Sequence, residues 1–183
     1  MATESNENLK PLLPGAILAL TAILFGFMLG SLFGAVEHTI KGQLSASADA
    51  VFDTVYEGDQ AQRDEVVAKS WSYLKRAHLH GGAIGAAALA AIVLLGLMGS
   101  VGVVERVSSL ALGGGALLYA VFWLVAGFMA PGMGSTVEAK EALEFLAIPS
   151  AGLCLLGITG TLVSAVRHSL GPNYGQVTKR RIE

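Results

Sequence analysis

The chain has 183 residues, of which 53% are hydrophobic and 14% charged, and its formal net charge is −2. A soluble domain carries about a quarter charged residues, so this composition excludes an ordinary soluble globule. The slightly acidic balance excludes a nucleic-acid-binding surface. The charges gather in the first ten residues, in 37–76, at 105–106, in 138–144 and in the tail, and between them lie apolar stretches at about 12–36, 81–104, 107–130 and 145–166. A helix of about 20 apolar residues crosses roughly 30 Å of hydrocarbon. Lipid offers no partner to an unpaired backbone amide, so each stretch must be helical. The expected fold is an all-α integral membrane protein: a four-helix transmembrane bundle with a long extramembrane helical hairpin between its first and second spans.

Residues 1–11 read as a disordered polar tail, and Pro11 and Pro14 suit the first turn of a helix. The first span is expected over 12–38. Its apolar run from Leu12 to Val36 exceeds the roughly 7–15 residues of a signal-peptide core. Glu37, His38 and Lys41 separate it from Ala46-Ser47-Ala48, which resembles a cleavage site, so the helix is expected to be retained. Gly26, Gly30 and Gly34 recur every four residues, a small-residue stripe that lets another helix approach, and His38 is next in that register.

Residues 43–77 read as an extramembrane amphipathic helical segment. Leu44, Ala48, Val51, Phe52, Val55 and Tyr56 recur at helical spacing up to Gly58. Asp59 is expected to cap a new helix, with Gln62 completing a capping-box-like pattern. Val67, Trp71, Leu74 and His78 share a face that continues through Gly82 and Gly85. One helix is therefore predicted over about 61–100, its membrane portion lying in 78–104. A tight turn around 100–104 leads to the third span, 107–130, where Gly113, Gly114 and Gly115 offer a close-contact point and Tyr119 and Trp123 lie on one side.

Residues 131–137 read as a loop, and Ser135 or Thr136 is expected to cap a last helix over 138–168. Glu138, Glu141 and Glu144 in its first turns suit the positive helix end, and Pro149 predicts a kink. Residues 169–183 form a basic tail. Lysine and arginine balance at six on each side of the four spans. The compact Lys179-Arg180-Arg181 cluster tips the orientation towards cytoplasmic termini in a bacterial inner membrane, with the histidine end periplasmic.

Ionisable groups at the mouth of an apolar span are costly and often functional, which singles out Arg76-Ala77-His78-Leu79-His80-Gly81-Gly82. An antiparallel first hairpin would set Gly34 and His38 opposite His78 and Gly82. The glycines leave room for a flat macrocycle, and the facing imidazoles could supply both axial ligands of haem b. His80 sits about 200° round the helix from His78, so it would meet another helix, while Trp71 and Arg76 are candidate edge and propionate partners. The non-haem alternative gathers Glu37, His38, His78, His80, Glu141 and Glu144 around a transition metal. Met129 and Met133 would be soft ligands, but the Glu-x-x-His of di-iron bundles is lacking.

The single cysteine, Cys154, excludes an internal disulfide, and no phosphate-loop or nucleophile-elbow motif occurs. The span interiors hold almost no ionisable residue for a transport pathway. The expectation is a small membrane electron-transfer protein or subunit, rather than an enzyme on its own. It would bind haem b through His38 and His78 and exchange electrons with a quinone or cytochrome, alone as a homo-oligomer or within a larger membrane complex. The alternatives are a non-catalytic structural or accessory subunit with structural histidines, or a His/Glu metal-binding membrane protein.

Overall fold

Helix caps and left-handed turns divide the described residues into four long helices and two short ones. The computed structural model describes residues 9–99 and 101–171, so most of the expected N-terminal tail and all of the basic stretch beyond Gly171 lie outside it. A single 3-10 turn, Lys10–Leu12, leads into α1, Leu13–Asp49, which carries Pro14 in its first turn. A four-residue helix α2, Phe52–Val55, precedes a reversal in which Glu57 (φ 52°) and Gly58 (φ 79°) are left-handed. Helix α3 runs Gln60–Leu97, and the Asp59 carboxylate accepts from the Gln62 backbone N–H at 2.9 Å.

Gly99 (φ 83°) turns the chain towards α4, Val103–Met133, whose start is closed by the Gly102 N–H donating to Glu105 Oε2 at 2.8 Å. Gly134 (φ 69°) ends α4 in the left-handed region that favours glycine. The Ser135 hydroxyl then caps α5, Thr136–Glu141, accepting from the N–H groups of Val137 and Glu138. Helix α6 runs Glu144–Leu170. Among the described residues all regular structure is helical, and α1, α3, α4 and α6 are each long and apolar enough to cross a membrane.

Several expected boundaries move, each for a physical reason. The first helix does not stop at 38. It breaks its helical dihedrals only at Val36 (φ −134°, ψ 29°) and continues to Asp49. The amphipathic segment expected from 44 is thus the end of α1, with a turn at 50–51. Gln62 does not complete a capping box: its amide donates to the Gly134 carbonyl at 3.2 Å. The loop expected over 131–137 shrinks to two residues, because α4 continues through Pro131 and the Tyr56 hydroxyl takes up the Pro131 carbonyl at 2.7 Å. The last long helix starts at Glu144 because Leu143 leaves helical geometry (φ −112°, ψ 16°) to bury its side chain beside Tyr73, Phe122 and Ala126. Pro149 lies inside α6 without ending it.

Helix α4 is the central element. Half of its most apolar window is buried, against 33% for α1 and α3 and 17% for α6. Helices α1, α3 and α4 pack mutually, whereas α6 docks on the outer side of α4 and touches α3 only lightly. The bundle is therefore a triangle of three helices with a fourth against one corner. The seams are made of small residues. In α1, Gly15, Ala19, Ala22 and Gly26 are buried at steps of four and three, and in α6 so are Gly157, Thr161 and Ser164. This heptad-like spacing suits left-handed packing.

The α1–α3 seam lies one residue round α3 and about two turns along α1 from the predicted one. The buried face of α3 runs through Val66, Ser70, Leu74, Ala77, Gly81, Gly85 and Ala88, so Val67, Trp71, His78 and Gly82 lie at its edge. A Cβ on Gly26 would stand 2.6 Å from the Gly82 nitrogen, and one on Gly81 would stand 3.2 Å from the Gly26 Cα. By contrast, Gly34 is exposed, and a Cβ on Gly34 or Gly82 would meet nothing within 4 Å. Gly26→Leu and Gly81→Leu are expected to destabilise the protein by about 1–3 kcal/mol through overpacking. Gly34→Leu should cost little. Denaturation of the detergent-solubilised variants checks this ordering, and equal losses at Gly26 and Gly34 would contradict the register.

Candidate functional site

The glycine seam fixes where each histidine lands. His78 lies at the edge of the α1–α3 contact, half-buried, with its Nδ1 2.7 Å from the Gly26 carbonyl oxygen. A carbonyl can only accept, so Nδ1 carries a proton and donates it. The ring covers Gly30: a Cβ there would stand 2.6 Å from His78 Cε1, 3.0 Å from Nδ1 and 3.3 Å from Nε2. Phe33 meets the imidazole edge-on at 6.2 Å between centroids.

The described structure does not bring His38 and His78, the expected pair, together. His38 lies twelve residues beyond Gly26 on the same helix, roughly 18 Å farther along at about 1.5 Å per residue. It is exposed and stands past the break at Val36. Gly34 and Gly82, expected to flank a macrocycle, do not face each other across the seam, since it is Gly26 that meets Gly81 and Gly82. The space expected beside His78 is taken up by α1 backbone at Gly30 and by the Phe33 ring.

Trp71 and Arg76 have other partners than those expected of haem-edge residues. The Trp71 ring packs edge-on against Phe33 at 5.0 Å, and Lys41, itself paired with Glu37, lies over its face with Nζ 5.1 Å from the centroid. Arg76 stacks between α4 and its own helix instead, its guanidinium carbon 4.8 Å from the centroid of Trp123 on α4 and 5.3 Å from that of Tyr73 on α3. His80 is turned away from α1 as the helical angle requires and lies against Tyr119 and Trp123, at 5.2 and 6.1 Å. Tyr73 and Phe122 complete this group of rings, each about 5 Å from Trp123. The Trp123 indole N–H is buried and has no hydrogen-bond acceptor among the described residues.

The carboxylates of the non-haem alternative are not brought to the histidines. Glu141 ends α5 and Glu144 begins α6, both exposed and separated by the non-helical Leu143, so they do not share a helix face. Glu37 is engaged by Lys41. Among the described residues no three His, Cys, Asp or Glu side chains gather closely enough to hold a metal ion.

The charged segment between α1 and α3 forms a clasp. Ala48, Tyr56 and Val66 pack with Ala130 and Ala139 beneath it. Arg63 reaches back from α3 to Asp49 at 2.7 Å and to Asp64 at 2.7 Å. The Arg63 guanidinium, with help from the Gln60 amide, holds the Asp64 carboxyl below the usual aspartate range, while the same bond raises Arg63 further. Sequence reading missed this clasp and the Arg76–Trp123–His80 group. Both join residues that are distant in sequence, and the only local signals were the 119/123 and 76/80 spacings.

Comparison with protein families, with curated proteins and with solved structures finds no match to this chain.

Removing the imidazole in His78→Ala should destabilise the protein by about 1 kcal/mol, the scale of interhelical hydrogen bonds in membrane proteins. His38→Ala should stay within about 0.5 kcal/mol. Denaturant titration in micelles compares the two, and parity between them would contradict the assignment. For the clasp, the lowered Asp64 carboxyl stabilises the folded state above the ordinary aspartate pKa, and this is lost as pH falls through its depressed value. Arg63→Ala should return Asp64 titration, followed by side-chain NMR, to the ordinary range and speed amide exchange over 45–64. An unchanged titration would show that Arg63 is not the cause.

Proposed function

We propose that the chain is an integral membrane protein whose four long helices cross the bilayer, and that it is a non-catalytic scaffold or accessory subunit. The observation that carries this reading is the His78 Nδ1–Gly26 carbonyl contact at 2.7 Å. It uses the most conspicuous histidine to join two helices. The other polar groups of the interior support the same reading. Ser70 donates to Val66 O, Ser109 to Leu12 O and Thr161 to Gly157 O, so these buried hydroxyls satisfy backbone carbonyls.

The outward faces favour lipid as the surrounding medium. Ile17, Leu20, Leu24 and Phe27 of α1 and Leu155, Leu156 and Leu162 of α6 are all exposed. Apolar patches of this extent are rare on soluble monomers. The basic Lys179-Arg180-Arg181 cluster orients the termini to the cytoplasm, which puts the Arg63 clasp on the far side. Helix α6, held on one side only by α4, leaves the broadest face for a second copy or a larger assembly.

Membrane fractionation with alkaline carbonate, followed by a visible spectrum of the purified chain from a haem-replete host, tests both halves. The protein is expected in the carbonate-resistant pellet and without a Soret band. A Soret band abolished by His78→Ala would overturn the scaffold reading in favour of electron transfer.

A further inference from the structure

The group of rings around Trp123 is rich in donors and poor in acceptors. Arg76 uses the faces of its guanidinium to stack on Trp123 and Tyr73, and stacking leaves the five N–H donors at its edge free. No carboxylate lies within ion-pair distance of Arg76 among the described residues; the four ion pairs found there involve Lys41, Arg63 and Lys69. One turn on, among the described residues, His80 makes ring contacts but no hydrogen bond, and the Trp123 indole N–H is buried without an acceptor. Arg76 and His80 thus offer two donors without an acceptor among the described residues at one end of an apolar helix, and their chemistry matches an oxyanion.

An apolar groove lies below them. On α3, Arg76, His80, Ile84, Ala87 and Leu94 follow one another at helical steps of four, four, three and seven, so they share one stripe. Ile84 and Ala87 face Leu112 of α4 and Leu155 and Ile158 of α6 across a hollow of about 200 Å³. A second hollow lined by Leu94, Ile158 and Leu162 continues it. The groove exists because α6 docks on α4 and barely touches α3. From Ile84, one turn beyond His80, to Leu94 it is about 15 Å long, about half the roughly 30 Å of bilayer hydrocarbon.

We propose that this groove holds one anionic phospholipid, its phosphate on the edges of Arg76 and His80 and one acyl chain along Ile84, Ala87, Leu112, Ile158 and Leu94. The inference rests on the membrane reading above. A phosphate oxyanion matches the guanidinium fork, while the apolar lining matches a chain without polar atoms. The rings are already packed on one another at 5–6 Å, which leaves no slot for a flat quinone head between them.

The test is native mass spectrometry of the full chain released from detergent after titration with phosphatidylglycerol or phosphatidylcholine. One phosphatidylglycerol per chain should be retained in preference to phosphatidylcholine. Arg76→Gln should weaken retention by about tenfold, as loss of a charge-assisted contact does, and Ala87→Trp, which fills the groove below an intact head site, should abolish it. Circular dichroism confirms that both variants keep their helicity. Equal retention of the two lipids, unchanged binding in either variant, or co-purification of a quinone would overturn the proposal. Extraction of the chain by carbonate would instead mean that the membrane reading itself had failed, so the two failures are distinguishable.

Discussion

The distance between backbones along seams of glycine, alanine and serine is the constraint on which the rest of this structure depends. Helix α4 shows it most clearly. Gly113 and Gly115 are two residues apart, hence about 200° round the helix. A Cβ on Gly113 would run into Gly15 of α1, and one on Gly115 would stand 2.8 Å from the Cys154 nitrogen of α6. One short run of glycine thus holds a helix on each side. Small residues let backbones approach closely enough for the helices to pack along their whole length. The seams therefore decide which helices touch.

They also decide the register. With Gly26 lodged against Gly81 and Gly82, the α1 backbone comes near enough for His78 to reach the Gly26 carbonyl and for its ring to lie over Gly30. His80, a little over half a turn away, is carried to α4 and its aromatic side chains. His38 takes no part, since it lies beyond the Val36 break. The separation of His78 and His80 into two environments follows from helical geometry alone. Their partners follow from how far α1 and α3 slide against each other.

The charged region is tied into the same framework. Tyr56 is almost fully buried and donates to Pro131 at the end of α4, and Gln62 donates to Gly134 in the next turn. Arg63 ties the end of α1 to the start of α3. The hairpin joining α1 and α3 therefore closes over the α4–α5 turn. This fixes the separation of three helices at one end, while small-residue seams fix it along their length.

Composition and charge spacing by themselves determined that four long apolar helices form, that Asp59 marks a helix start, and that Ser135 or Thr136 marks another. These are local properties, set by length, periodicity and capping chemistry within a few residues. The spacing of Gly26 and Gly30 likewise marked α1 as a close-contact helix, and the 78/80 spacing separated the two histidines. Only the tertiary structure decided that the stripe is used at Gly26 and not at Gly34, that Val36 breaks the helix, and that α6 sits outside a three-helix triangle. A repeat of small residues is nearly the same after a shift by one or two turns. Its energy therefore depends on which backbone atoms meet across the seam, and no single helix carries that information.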